Sequence, residues 1–380
     1  MRKPLLLLFA AIIGCSLSAQ ETGTGTTSNK LRFGGQLSAW GYITPDLADG
    51  LWLGARALPR LNYTIDLGKN RSIDFEVSGS VYGEAGYDEL RLSDNNGDIN
   101  FYRAWARYSG NRTEIKLGLQ RISFGTSRMF RPLMWFDKVD PRDPLEITNG
   151  VWGGLFRYNF PNEANVWLWG LGGNVRLRAW DFARSAGKLR PEVGGRVQYP
   201  LPFGAVGVSY HYRQADFDFM KLGDLSESRF GFDLRADMEV GLWLEASWTQ
   251  YNKEIGNLTN QQLITLGSDY IFDVGNGLTT TVEHLLYGSD YNPFEFKDAM
   301  NFTGVSFSYP LTLLDDLSAM VYYDWKDSNV YTFCTWKRQV KSLSYYVMGY
   351  WNPKNSQMPG QASGSRLLGK GLQLMVAWDF

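Results

Sequence analysis

Cysteine and histidine are nearly missing from this chain, with two of each in 380 residues. Cys15 lies in the amino-terminal apolar stretch and leaves Cys334 alone, so no disulfide framework holds the fold. His211 and His284 stand far from any Cys-x-x-Cys or His/Cys cluster, and no cofactor or metal is expected. An excess of one charge is missing too. Thirty-eight Lys and Arg against 39 Asp and Glu leave a formal charge of -1, which offers nucleic acid no basic partner surface. Past the amino terminus no apolar run reaches the length of a membrane helix, so a membrane could be crossed only by a closed barrel.

What is present begins with an export signal. Arg2 and Lys3 precede an apolar stretch from Leu5 to Gly14, too short to span a bilayer. Cleavage after Ala19 makes residues 1–19 a signal peptide and residues 20–29, polar and rich in Thr and Gly, a flexible leader. Ile12-Ile13-Gly14-Cys15 also fits a lipobox, which would place a lipid on Cys15. Aromatic residues make up 15% of the chain. Such richness suits a membrane–water boundary, or sugar stacking in a secreted lectin or glycosidase.

After residue 30 the dominant period is two. In the last segment Leu372, Leu374, Val376, Trp378 and Phe380 share one face, while Gln373, Met375, Ala377 and Asp379 share the other. Phe230, Phe232, Leu234, Ala236 and Met238 alternate in the same way with Arg229, Asp233, Arg235 and Asp237. Repeated segments of roughly ten residues with an apolar and a polar face are what a transmembrane strand requires. Eight short connections follow, most of them rich in Gly, Asn and Pro, such as Gly68-Lys69-Asn70 and Gly275-Asn276-Gly277. Nine longer stretches alternate with them, near 44–51, 86–98, 126–150, 172–191, 219–228, 255–260, 292–299, 327–329 and 352–370. The expected fold is all-β: one antiparallel transmembrane barrel over 30–380, of about 16–18 strands, with short periplasmic turns and long extracellular loops. Barrels of that size enclose water.

The longest marked loop, Thr126 to Gly150, is dense in charge, aromatics and proline. Arg128, Arg131, Lys138 and Arg142 stand against Asp137, Asp140, Asp143 and Glu146, and Asp140-Pro141-Arg142-Asp143-Pro144 has little backbone freedom. It either folds into the barrel as a constriction or covers the mouth. By phase, Arg56 and Arg60, Arg103 and Arg107, and Arg112 and Lys116 face the lumen from the second, fourth and fifth strands. They would set charge selectivity, or pair with Asp66, Asp74, Glu76 and Glu114 and stiffen the wall.

Gly118-Leu119-Gln120-Arg121, then Gly125, Arg131, Trp135 and Asn149-Gly150-Val151, resembles a hairpin of porin-like and alginate-export-like barrels. Leu119 and Asn149 stand where that pattern has Arg and Asp, and the match covers about 40 residues. The resemblance implies a porin-like barrel in the outer membrane of a Gram-negative bacterium, surrounded by lipid and passing small hydrophilic solutes. Porins are often trimers, so a homo-oligomer is an expectation carried by the resemblance alone. Two other readings stay open: a carbohydrate-selective import or export barrel, and a structural or adhesive barrel with a plugged lumen. An enzyme is not expected. His211 faces the lumen with Ser209 and Arg213, and neither histidine has a Ser or Asp at a recognisable motif spacing. Asp94-Asn95-Asn96-Gly97-Asp98 is expected to be an exposed loop tip.

Overall fold

A computed structural model describes residues 29–45, 50–89, 91–187, 190–256, 258–354 and 367–380. The signal, most of the leader and Cys15 lie outside the described residues. Strands run in chain order as β1 (Lys30–Ile43), β2 (Leu51–Gly68), β3 (Arg71–Asp88), β4 (Arg91–Ser109), β5 (Thr113–Gln120), β6 (Val151–Asn159) and β7 (Asn165–Leu171). After the two-residue β8 (Arg184–Ser185) come β9 (Glu192–Leu201), β10 (Gly204–Asp216), β11 (Asp224–Asp237), β12 (Gly241–Ile255) and β13 (Leu258–Phe272). The chain finishes with β14 (Leu278–Asp290), β15 (Met300–Pro310), β16 (Asp315–Asp324), β17 (Asn329–Val340), β18 (Leu343–Trp351) and β19 (Lys370–Asp379).

Apart from β8, each strand pairs antiparallel with its neighbours in sequence, and β19 pairs with both β18 and β1. The ring therefore closes with eighteen strands. Phe380 seals the seam: its N–H donates to the Gly35 carbonyl at 3.0 Å and its carbonyl accepts from the Gly35 N–H at 2.9 Å.

The period of two sets which side chains meet lipid. Leu372, Leu374 and Val376 are 46%, 54% and 40% exposed, whereas Met375 and Ala377 between them are 5% and 1% exposed. Along β11, Phe230 and Phe232 are exposed outside while Arg229 and Asp233 are buried inside. An apolar exterior around a polar interior has no stable place in water, but it suits a bilayer around an aqueous lumen.

Two of the nine longer stretches are strand instead. Residues 86–98 belong to β3 and β4, which only residues 89 and 90 separate, and Asn95 and Asn96 pair with Ala85 and Glu84. Ile255 and Leu258–Asn260 are likewise the tops of β12 and β13. Asp94–Asp98 is thus exposed strand, not a loop tip. Beyond the bilayer both faces of a hairpin meet water, so polar residues carry the ladder and the alternation disappears.

Candidate functional site

After Gln120 the chain leaves the wall and turns into the barrel. Ile122, Phe124, Leu133, Trp135 and Phe136 bury themselves against Val151 and Leu155 of β6 and Trp169 and Leu171 of β7. Those four wall residues point inward, so an apolar plug covers an apolar patch of lumen wall. Gly125 makes the turn possible. It has φ 99°, a left-handed conformation, and a Cβ there would collide with the Glu245 carboxylate.

Two carboxylates on the facing wall hold this loop by its backbone. Glu245 on β12 accepts the N–H groups of Thr126, Ser127 and Leu133 at 2.7, 2.9 and 2.7 Å. Glu283 on β14 accepts those of Arg128, Met129 and Phe130 at 2.6, 2.9 and 2.7 Å, and the Trp243 indole N–H at 3.0 Å. Trp135 Nε1 adds a bond to Ser247 Oγ at 2.9 Å, and Phe130 packs edge-on to Tyr322 of β16. Such charge-assisted bonds are stronger than neutral ones.

The return limb follows the opposite wall. Arg142 pairs with Asp140 and lies over the Phe333 ring of β17 at 5.0 Å. Leu145 packs against Tyr346, Met375 and Ala377. The Asp143 N–H donates to the Asp140 carbonyl at 3.0 Å, and the Glu146 N–H to the Asp143 carbonyl at 3.0 Å. Burial pushes the Asp143 carboxyl up, against the Leu145 N–H and the Arg56 charge. Burial raises Asp137 as well, against Arg131 and Arg121. Arg103 then fixes the exit: Nη2 donates to Thr148 Oγ1 at 2.7 Å and to its carbonyl at 3.2 Å.

The remaining predicted residues divide. Arg56 faces the lumen over the rings of Tyr82 and Trp40, at 4.9 and 5.6 Å. Arg107 pairs with Asp74 at 3.1 Å and stands 3.9 Å from Glu114. Lys116 sits 3.9 Å above the Trp105 ring. Arg60 is exposed at an inward position of β2. Arg131 turns into the loop and donates to Ser123 Oγ at 2.8 Å. Glu146 is exposed with φ 45°. Arg112 is not on β5. It lies in the short turn before Thr113, where its carbonyl accepts the Asn159 N–H, and so stands at the end of the barrel away from the inward loop.

No family model matches the chain, and no curated protein matches it. Solved structures do. OccK2 of Pseudomonas aeruginosa, described in complex with glucuronate, has a TM-score of 0.61 at 8% identity, over 92% of this chain and 98% of that one. OccAB1 of Acinetobacter baumannii has 0.57 at 8%, over 92% and 96%. An anion-selective porin from Comamonas acidovorans has 0.51 at 15%, over 93% and 100%. This chain has the porin fold. Its apolar exterior suits a bilayer.

A second element enters the lumen of this porin fold, from a stretch that reads in the sequence only as a long connection. The stretch before β8 brings Arg178 and Asp181 down to the wall. Arg178 bonds both oxygens of Glu192 on β9 at 2.8 Å. Asp181 accepts from Arg213 of β10 at 2.9 Å and Arg229 of β11 at 2.6 Å, and Arg213 is also 2.9 Å from Glu227. All six side chains are buried, three cations against three anions. His211 is absorbed at the edge of this network: Nδ1 accepts from the Trp169 indole at 3.1 Å, and Nε2 lies 3.2 Å from Glu192. His284 lies on the outer wall, bonded to Thr303 Oγ1 at 2.9 Å.

Burial by itself would raise the Asp181 carboxyl, but the Arg213, Arg229 and Arg178 charges outweigh it and hold the group well below its ordinary 3.8. A depressed carboxyl contributes stability that is full above the ordinary value and is lost as pH falls through the folded one. The segment is therefore expected to stay docked from neutral pH down to about 3.8 and to loosen only in stronger acid. A nitroxide at residue 184 in a Cys334→Ser background reads this directly. A mobile line shape already at about pH 5 would contradict it.

Proposed function

We propose that this barrel is a diffusion channel for small hydrophilic solutes, with loop 126–150 as its constriction. The observation that carries the reading is the path of that loop across the lumen, tied to Glu245 and Glu283 on the far wall. Beside it runs a space of about 350 Å³ between Pro141, Arg142 and Pro144 of the loop and Ser318, Phe333 and Lys337 of the wall. The loops bury the inner faces of β6–β13 and pack on β15–β19 as well, so the passage runs along β1–β5 and the space beside Pro141 and Pro144. A Pro-fixed loop holds a constant aperture, which a flexible one would not.

Charge favours anions over cations. Among the described residues Arg56, Arg60 and Lys116 face the lumen with no carboxylate at ion-pairing distance, whereas Arg107, Arg121 and Arg157 have acidic partners. Unpaired cations along a pore raise the local anion concentration. Reconstitution in a planar bilayer tests the channel, and absence of ion current would end the reading. Arg56→Ala with Arg60→Ala is expected to move the reversal potential in a salt gradient toward cations. An unchanged potential would remove these two residues from the selectivity argument. Block of the current by glucuronate, the ligand in the OccK2 structure, would move the reading toward a carbohydrate-selective barrel.

A further inference from the structure

The ring of strands closes, but at the junction of β4 and β5 the pairing covers only its lower part. β4 extends from Arg91 to Ser109, but β5 pairs only with Ala104–Ser109, because the chain turns inward after Gln120. The edge of β4 from Arg91 to Arg103 faces no strand among the described residues. Across the gap that this leaves stand Asn149–Trp152 and the segment 173–178. Arg176 bridges it, donating to Asn100 Oδ1 at 2.5 Å and to Asn149 Oδ1 at 3.3 Å. Asn174 fixes the far bank through the Trp152 N–H at 2.8 Å and carbonyl at 3.1 Å.

A cavity of about 410 Å³ occupies this gap, and both faces of the wall line it. Arg56, Ser80 and Tyr82 belong to the inward phase of β2 and β3. Phe101 and Trp152 belong to the outward phase and are 67% and 44% exposed. Residues from opposite faces can line one space only if that space passes through the wall. Two cations line the inner end, Arg56 over Tyr82 and Trp40 and Lys138, neither with a carboxylate at ion-pairing distance among the described residues; the carboxylates that also line the cavity, Asp137 and Asp98, pair with Arg121 at 3.5 Å and Arg176 at 3.8 Å. Apolar side chains form the outer end, with Val175 and Leu177 exposed beside Phe101 and Trp152. From Phe101 an apolar groove of about 400 Å³ continues along the exterior over Ile99, Val77, Leu61 and Phe33.

We infer that this gap is a lateral binding site for a single-chain amphiphile with a carboxylate head. The head lies at Arg56 and Lys138, the upper chain crosses the wall between Phe101 and Trp152, and the tail lies in the outer groove. A cation inside and an unbroken apolar track outside match both ends of such a molecule. The cavity volume falls in the usual range for small ligands, roughly 300–1,000 Å³. A small hydrophilic solute would leave the outer half of the site unused.

The test is photolabelling of the full chain in nanodiscs with dodecanoate carrying a diazirine beside its carboxylate. Labels are expected on peptides containing Tyr82 and Phe136, saturating with concentration. A tail-end diazirine should label the strand segment around Ile99 and Phe101. Arg56→Ala is expected to raise the half-saturating concentration about tenfold, the size of one lost charge-assisted bond. Phe101→Ser with Trp152→Ser should raise it similarly for dodecanoate and leave a hexanoate probe unchanged. Equal saturation by hexanoate and dodecanoate would overturn the proposal, as would inner labelling by a neutral dodecanol probe or indifference to the Phe101/Trp152 change. None of these readouts is an ion current, so the channel reading stands or falls separately.

Discussion

Replacing Glu245 and Glu283 together by alanine is expected to raise the single-channel conductance several-fold and to make the open current noisy. Each carboxylate accepts three backbone N–H groups from the inward loop, and Glu283 accepts the Trp243 indole besides. A hydrogen bond to a charged group contributes about 1.5–3 kcal/mol net, and neighbours in one network do not add simply. Even a fraction of that sum exceeds thermal energy many times over. In the double variant the segment 126–133 has six N–H groups without protein partners, and water entering the lumen satisfies them only if the segment leaves the wall. The apolar plug against Val151 and Trp169 holds Ile122 and Phe124 on one side and Trp135 and Phe136 on the other, so movement concentrates in the segment between them. Gln at both positions should fall between, because an amide oxygen still accepts but carries no charge. Planar-bilayer recordings of the three proteins decide it. A double alanine variant with the conductance and noise of the parent would remove the two carboxylates from control of the aperture.

The second large effect is on stability. Arg213→Met is expected to cost about 3–5 kcal/mol, the usual penalty for stripping one partner from a buried ion network. Arg213 is fully buried between Asp181 and Glu227, and Arg229 alone then faces both carboxylates. Removing the stranded charge should recover much of the loss, so Arg213→Met with Asp181→Leu is expected to melt above the single variant. Thermal unfolding in detergent, followed by the shift between folded and unfolded bands on a gel, gives the comparison. A single variant as stable as the parent would show that other contacts hold the stretch before β8.

The wall was largely legible in the sequence, because lipid and water impose opposite demands on alternate residues. β19 reads plainly from Leu372 to Ala377, and so does β11, and Gly, Asn or Pro marks most short connections. β7 resisted, since its inner face carries Trp167, Trp169 and Leu171. The reason is physical: Phe124 and Phe136 cover most of that face, burying Trp169 and Leu171 and half-burying Trp167. The hairpin of β3 and β4 misled in the opposite sense, polar on both faces above the bilayer. The anchors of the loop could not be read. Inward phase alone marks Glu245 and Glu283, while their partners are backbone N–H groups 112 to 155 residues away, which leave no trace in side-chain identity. Arg103 was found by phase, but its bond to Thr148 shows it positioning the loop.

The order in which this chain acquires its structure follows from the reach of those same bonds. Thr126 must wait for a residue 119 positions later, and Arg128 for one 155 positions later. Until β14 exists, Phe130 and the N–H groups around it have nothing to settle on. Joining ends so distant makes for slow maturation. The seam between β1 and β19 forms later still, since β19 is the final strand. The inward segment is therefore enclosed by the closing ring, and a chain that sealed first would have to thread it through the mouth.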